Sequence, residues 1–259
     1  MTTLTVGDIT VFKKEYGEGP ALLGIMGLGA NLDYWSPEIL DSMSAYRHVI
    51  IFDNRGVSGT SRGTKAVTIA QMADDAIALL DELKIAKADV FGVSMGGMIA
   101  QEIAIRYPKR VQKLILCCTT PGPRHTKFSP AILGAFLAKK RSQILANLLF
   151  PKSFQKAQPE KVQRFLALAL QRPVDETVLR LQLLSCSLFS SKSRLHRIKN
   201  QTLVLTGDSD ILINKHGSYL IAGLIPNARL EVFPGGGHGV MLQNSEQIHM
   251  VIREFLTSQ

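Results

Sequence analysis

Short runs of Val, Ile and Leu alternate with helical patterns along most of the 259-residue chain, and no other feature restricts the possible folds as strongly. The runs Ala21 to Met26, His48 to Asp53 and Ala88 to Val93 are rich in Val, Ile and Leu and apolar on both faces, so both faces of each strand would be buried. Strands of this kind are typical of parallel sheets that lie between two layers of helices. The alternation therefore predicts an α/β fold with an open, mostly parallel sheet and helices on both faces.

The alternation stops at Pro121-Gly122-Pro123. It resumes with strands predicted over Leu203 to Thr206 and Leu230 to Phe233 and helices over Ile213 to Leu224 and Gln247 to Leu256. Residues 130–190 contain no strand pattern, and their apolar residues instead recur at helical spacing over three segments. We therefore expect a core domain formed by residues 1–121 and 196–259, interrupted by an all-helical insert over residues 122–195. The three helices predicted in this insert span Ile132 to Leu149, Val162 to Leu170 and Thr177 to Phe189.

The net charge of +9 is concentrated in one internal block, residues 121–200, which hold 15 Lys and Arg but only three acidic residues. One interpretation of this block is a solvated face. A second is an entrance that attracts anionic substrates, and a third is docking on an acidic lipid surface. We expect no nucleic-acid partner, because no recognised binding motif accompanies the charge.

The three cysteines, Cys117, Cys118 and Cys186, have neither paired disulfide spacing nor the spacing of a zinc site. An odd number of such cysteines is typical of reduced thiols in the cytoplasm. The longest apolar stretches are shorter than the roughly 18 residues that cross a bilayer, and the N-terminus lacks the pattern of a signal peptide. We therefore expect a cytoplasmic protein without stable membrane insertion.

The sequence Gly92-Val93-Ser94-Met95-Gly96 follows one predicted strand and precedes a helix predicted from Met98. Where a strand turns sharply into a helix, the central residue adopts a strained backbone conformation, and glycines two positions before and after it avoid a clash. The hydroxyl of Ser94 is then exposed at the carboxyl end of the sheet, above a helix N-terminus that favours developing negative charge. The alternative is that Ser94 only caps the helix, a role that needs no glycine on both sides.

A serine hydroxyl needs a base to remove its proton near neutral pH, and that base needs an orienting acid. Among six histidines, His238 is the candidate base, because it lies directly after the last predicted strand in a glycine-rich loop that gives it freedom to reach over the sheet. Asp210 is the candidate acid, since it also follows a strand, whereas the rival Asp208 could instead cap a turn. The chain order Ser94, Asp210, His238 is the nucleophile–acid–base order of one fold.

These motifs resemble those of the α/β-hydrolase fold superfamily, and they are most similar to small esterases and lactonases of the enol-lactonase and methylesterase type. The resemblance implies an eight-stranded, mostly parallel sheet with a helical cap, and a site that uses neither a cofactor nor a metal. It assigns Ser94 as nucleophile, His238 as general base and Asp210 as its orienting acid. It also implies an oxyanion hole formed by the backbone N–H groups of Leu28 and Met95. The matching motifs, in chain order, are Gly27-Leu28-Gly29, a structural loop from Asp53 to Ser61 that includes Arg55, Gly92 to Gly97, Gly207 to Asp210, and Gly237-His238-Gly239.

The expected function is that of a cofactor-independent serine hydrolase that cleaves a small carboxylic ester or lactone through an acyl-enzyme intermediate. The alternatives are a thioester or carbon–carbon bond hydrolase with the same triad, and a non-catalytic ligand receptor with the hydrolase fold. Ser94 argues against the dehalogenases and epoxide hydrolases of this fold, which use a carboxylate nucleophile. In the insert, Phe136 and Phe165 are candidate substrate-binding residues on apolar helix faces.

Overall fold

A computed structural model describes residues 2–125, 141–172 and 174–258. Its eight-stranded sheet has the order β1-β2-β4-β3-β5-β6-β7-β8. The first hairpin and the β2/β4 pair are antiparallel, whereas all other neighbouring strands are parallel. The predicted α/β fold with a mostly parallel, eight-stranded sheet is confirmed. The strands are β1 Thr2–Val6, β2 Ile9–Tyr16, β3 Ala21–Ile25, β4 His48–Phe52, β5 Ala88–Val93, β6 Val111–Cys117, β7 Thr202–Gly207 and β8 Ala228–Phe233.

Alternate residues of the central strands enter two different hydrophobic clusters, which explains why these runs are rich in apolar residues on both faces. In β5, Val90 packs into the cluster that contains much of α2 and α3, whereas Phe91 packs into the cluster on the opposite face. Side chains of successive strand residues point to opposite faces, so a strand covered on both sides needs no polar face. The helices within the described residues are α1 Pro37–Ser44, α2 Ile69–Glu82, α3 Met95–Arg106, α4 Arg141–Leu149, α5 Lys152–Ala157, α6 Pro159–Ala169, α7 Glu176–Leu188, α8 His216–Leu224, α9 Val240–Gln243 and α10 Ser245–Thr257.

Helices α4 to α7 lie between β6 and β7 in the sequence, and residues 141–172 and 174–188 contain no strand. Helices α6 and α7 agree with the predicted segments to within a few residues. The predicted helix from Ile132 is described only from Arg141 onward, because its first part lies outside the described residues. The sequence did not indicate α5, since its six residues are too few to produce a recognisable apolar period.

Two predicted helix starts differ from the structure. Helix α3 begins at Met95 rather than Met98, since Gly96 and Gly97 lack the apolar period that marks a helix start. Helix α8 begins at His216 rather than Ile213, and the residues before it form a bend in which the backbone N–H groups of Leu212 and Ile213 donate to the carboxylate of Asp210. Both differences lie beside residues predicted to form the site.

The loop from Asp53 to Ser61 is held by the buried side chain of Arg55. Its guanidinium donates to the carboxylates of Asp75 (2.6 and 2.8 Å) and Asp8 (2.9 and 3.0 Å) and to the carbonyl oxygen of Arg62 (2.9 Å). A planar guanidinium that is fully paired in this way fixes several segments at once. The geometry agrees with the expected structural role of this loop.

Candidate active site

Ser94 lies between the end of β5 and the start of α3, with φ +58° and ψ −120°. A Cβ atom on Gly92 would lie 2.3 Å from the carbonyl oxygen of Gly96, and one on Gly96 would lie 2.1 Å from that of Ile25. The two glycines therefore permit a backbone approach that no other residue allows. Although Ser94 occupies the N-cap position of α3, its side chain makes no capping hydrogen bond, which argues against the purely capping role.

Asp210 and His238 form a buried pair at the carboxyl end of the sheet. Oδ2 of Asp210 lies 2.7 Å from Nδ1 of His238, while Oδ1 accepts from the backbone N–H groups of Leu212 (2.8 Å) and Ile213 (3.0 Å). The two backbone donors fix the carboxylate, and the carboxylate in turn fixes the imidazole. The structure thus brings together the predicted acid and the predicted base.

The rival residue, Asp208, lies on the surface, and within the described residues it forms no hydrogen bond with His238. Its Oδ1 accepts from the backbone N–H of Gly235 (2.8 Å) and from the hydroxyl of Ser209 (3.0 Å). These bonds close the turn after β8, as expected of an aspartate in a turn. The geometry therefore favours Asp210 over Asp208 as the partner of His238.

Asp210 determines the direction in which the pKa of His238 is shifted. Burial by itself lowers the pKa of His238, but the negative charge of Asp210 and the hydrogen bond to it outweigh burial and raise the pKa above its usual value. Because Nδ1 is engaged by the carboxylate, Nε2 is the ring nitrogen left for chemistry in the cavity.

The glycines around His238 have a different role from the one that the sequence suggested. A Cβ atom on Gly237 would lie 2.6 Å from the carbonyl oxygen of Leu149, and one on Gly239 would lie 2.2 Å from the ring of Phe150. The backbone N–H of Gly239 also donates to Leu149 (2.8 Å). These glycines let the loop pack tightly against the end of α4, whereas the sequence suggested that they give the loop freedom to move.

Ser94 and His238 both line one cavity of about 440 Å³. Among the described residues, its walls contain no Asp, Glu, Lys or Arg, so the cavity is suited to an apolar ligand group. Phe165 lies in the wall, with its ring edge-on to Tyr34 (5.7 Å) and Phe150 (5.6 Å). The other predicted pocket residue, Phe136, lies outside the described residues. Further apolar wall residues that the sequence did not single out are Leu145, Leu148, Met241 and Leu242.

The backbone of the segment Met26 to Gly29 lies directly against Ser94. A Cβ atom on Gly27 would lie 2.9 Å from Cβ and 3.4 Å from Oγ of Ser94, and Leu28 and Met95 both line the cavity. The amide group of the buried Asn54 donates to the carbonyl oxygen of Met26 (3.0 Å). The backbone of this segment and the start of α3 therefore both border the cavity beside Ser94.

Cys118, which follows β6, is a third polar group beside the Asp210–His238 pair. Its Sγ, a carboxylate oxygen of Asp210 and a ring nitrogen of His238 all lie within 4.8 Å of one another. The hydrogen bond with Cys117, burial and the charge of Asp210 hold the pKa of the Cys118 thiol well above its usual value. A protonated thiol packs against the pair, whereas a metal would need the thiolate and would compete for the oxygen and nitrogen that already bind each other.

Several cations of the basic block pair with acidic residues. Arg172 contacts Asp33 through Nε (3.0 Å) and lies 3.5 Å from Asp53, while Arg194 pairs with Glu102 (2.9 Å). These contacts join the helical segment to the sheet domain. Attraction of anionic substrates by the rest of the block stays a prediction. Within the described residues, no helix combines the length and the hydropathy needed to cross a bilayer.

Comparison with known proteins places these motifs in one family. The family model of the alpha/beta hydrolase fold matches residues 20–245. A poly(3-hydroxyalkanoate) depolymerase from Ectopseudomonas oleovorans is 30% identical over 92% of this chain and 84% of its own length. Another relative, from Caulobacter sp. (strain K31), carries the provisional name carbamate hydrolase RutD and is 27% identical over 98% of both chains. The enol-lactonase from Burkholderia xenovorans LB400 shares the fold, with a TM-score of 0.85 at 21% identity over 99% of this chain and 100% of that chain.

Proposed function

The chain belongs to the α/β-hydrolase fold family, and from that premise we propose that it is a serine hydrolase that cleaves a small carboxylic ester or lactone. The observation that carries the proposal is the shared cavity of Ser94 and His238, with Asp210 bound to Nδ1 of the imidazole. This arrangement leaves one ring nitrogen to accept the proton of the serine hydroxyl.

In the proposed mechanism, Oγ of Ser94 attacks the carbonyl carbon while Nε2 of His238 takes its proton. Asp210 keeps the other nitrogen protonated and stabilises the imidazolium that forms. The tetrahedral oxyanion accepts hydrogen bonds from the backbone N–H groups of Leu28 and Met95. Collapse of this intermediate passes the proton from His238 to the leaving oxygen, and a water molecule then releases the acid from Ser94 by the same steps.

We propose that residues 122–195 form a cap over residues 1–121 and 196–259, and that this cap supplies one side of the cavity. The described wall residues from this part of the chain are apolar or uncharged, and they include Phe150, Phe165 and Leu183. An apolar wall supports a substrate with an aliphatic or ring-containing acyl group. The three free thiols support a reducing compartment such as the cytoplasm.

Thioester or carbon–carbon bond hydrolysis with the same three residues remains the alternative within the same chemistry. A ligand receptor with the hydrolase fold is the alternative outside it. The strained backbone of Ser94 supports a functional role for this residue, and turnover separates the enzyme from the receptor.

The test is turnover of nitrophenyl esters of graded chain length, alongside the matching thioesters. Ser94→Ala should lose about a thousandfold or more in kcat while folding normally. Ser187→Ala is the matched control, since Ser187 also lines the cavity but donates to the carbonyl oxygen of Leu184 (2.7 Å). Stoichiometric ligand binding without turnover of any substrate would support the receptor and contradict the proposal.

A further inference from the structure

A glutamine on α7 binds the backbone segment beside Ser94. Oε1 of Gln182 accepts a hydrogen bond from the backbone N–H of Gly29 at 2.9 Å, across 153 positions of sequence. Gln182 is fully buried. Because the donor is a backbone N–H, the bonded atom of Gln182 must be its oxygen, so the orientation of the amide group is fixed.

This contact completes the anchoring of a glycine-containing turn. Asn54 donates to the carbonyl oxygen of Met26 at one end, and the N–H of Ala30 donates to the carbonyl oxygen of Gly27 at 3.2 Å. Gly29 itself has φ +63°. Glycine adopts positive and negative φ about equally readily, so the backbone alone does not hold the turn in one conformation. The hydrogen bond from Gly29 to Gln182 fixes the peptide plane that follows Leu28, and the bond to Gly27 fixes the neighbouring part of the turn.

Gln182 is a costly choice if its role is only to pack α7 against the sheet domain. Its Nε2 is buried and has no hydrogen-bond partner among the described residues. An unpaired buried donor destabilises the folded state, so an apolar side chain of similar size would pack there at less cost. The residue is unfavourable for stability yet engages one specific N–H, a combination typical of positions that serve a site.

Helix α7 reaches both the turn and the cavity. Val178, Gln182 and Ser185 face the sheet domain, where Val178 lies over Gly56 and Oγ of Ser185 accepts from the backbone N–H of Ile69 at 2.7 Å. Leu183 and Ser187, on another side of the same helix, line the cavity. The helix that holds the turn is therefore also a wall of the substrate site.

We propose that Gln182 is a positioning residue that aims the backbone N–H of Leu28 at the oxyanion by holding Gly29. This inference rests on the proposed function. It predicts an effect on the transition state rather than on substrate binding, because the oxyanion forms only during reaction. Removal of the amide takes away the unpaired Nε2 but also the acceptor of the Gly29 N–H, so its two effects on stability oppose each other.

The experiment compares Gln182→Met with Ser185→Ala, which removes another polar contact between α7 and the sheet domain. Gln182→Met should lower kcat by about 10- to 100-fold with KM within about threefold, while its melting temperature stays within about 5 °C of that of the wild type. Ser185→Ala should keep kcat within about threefold. Equal losses in the two variants, or an unchanged kcat in Gln182→Met, would overturn the proposal.

A boronic acid that mimics the tetrahedral intermediate gives a second readout. Its affinity should fall in Gln182→Met in parallel with kcat, whereas affinity for the product acid should not change. Gln182→Leu serves as a second variant without an acceptor if the Met variant folds poorly. In the wild type, the amide of Gly29 should exchange slowly with solvent, and fast exchange would contradict the proposal without any variant. A wild type without ester turnover would instead refute the proposed function.

Discussion

Oδ2 of Asp210 lies 2.7 Å from Nδ1 of His238, and the two residues are 28 positions apart in sequence. Each follows a different parallel strand, β7 or β8, and the carboxyl ends of these strands meet at one edge of the sheet. This contact fixes the orientation of the imidazole and raises its pKa. It therefore links the topology of the sheet to the expected pH dependence of hydrolysis.

Replacement of Asp210 by Asn should change the pH profile as well as the rate. In the wild type, the raised pKa of His238 means that kcat/KM increases with pH, with a midpoint above the ordinary value of 6.5, because only neutral imidazole accepts a proton. Asp210→Asn removes the charge that stabilises imidazolium, so the midpoint should move to lower pH. The rate at the plateau should fall by about 10³- to 10⁴-fold.

The control for this prediction is Asp208→Asn, because Asp208 lies in the same loop but binds Gly235 and Ser209 instead of His238. Its pH profile should coincide with that of the wild type. An unshifted midpoint in Asp210→Asn would contradict the electrostatic account of the pair.

Gly96→Ala should destabilise the fold by about 1–3 kcal/mol, measured by urea unfolding. The new Cβ atom would lie 2.1 Å from the carbonyl oxygen of Ile25, and neither backbone can move without disturbing β3 or α3. Gly223→Ala in α8 is the matched control, since a Cβ atom there meets nothing within 4 Å. In the control, the free energy of unfolding should stay the same or increase by up to about 1 kcal/mol. Equal effects at the two positions would refute the argument from close approach.

Lys113→Met should destabilise the C-terminal helix. Nζ of Lys113 donates to the carbonyl oxygens of Phe255 (2.7 Å) and Ser258 (2.6 Å), at the end of α10 where the helix carbonyls lack partners within the helix. Met keeps most of the side-chain volume and removes the donors, so we expect a loss of about 1–3 kcal/mol. The exposed Lys109 provides the control, and Lys109→Met should change the free energy of unfolding by less than about 0.5 kcal/mol. An equally small change in Lys113→Met would show that the hydrogen bonds of Lys113 to Phe255 and Ser258 do not contribute to stability.

The apolar cavity predicts a dependence on acyl-chain length. Each methylene buried in the cavity contributes about 0.8 kcal/mol, so kcat/KM should rise about threefold to fourfold per added methylene until the cavity is full. Phe165→Ala removes the ring between Tyr34 and Phe150 and should shift the optimum to longer chains. Leu188→Ala is the control, because Leu188 is 76% exposed and its removal should not move the optimum. A chain-length profile that is flat in the wild type would contradict the assignment of the cavity as the acyl site.

Local rules were sufficient to predict the parts of the site that depend on the ends of neighbouring strands. The two glycines around Ser94, the position of Asp210 after β7 and that of His238 after β8 follow from the alternation and from turn chemistry. The choice of Asp210 over Asp208 agrees with the contacts that each makes.

Features that depend on tertiary packing could not be predicted from the sequence. The bond between Gln182 and Gly29 joins residues 153 positions apart, and no periodic pattern encodes it. The sequence places Cys118 in an apolar run, and its closeness to His238 could have been suspected only because it follows β6 at the same sheet edge. The role of Gly239 depends on the ring of Phe150, whose position follows from the packing of α4.

The most direct test of the central claim is to react the folded protein with a fluorophosphonate and to map the adduct by mass spectrometry. The account predicts one adduct per chain, on Oγ of Ser94, that is absent in Ser94→Ala and forms much more slowly in His238→Ala. Absence of an adduct on the folded wild-type protein, or an adduct that persists in Ser94→Ala, would contradict the assignment of Ser94 as an activated nucleophile.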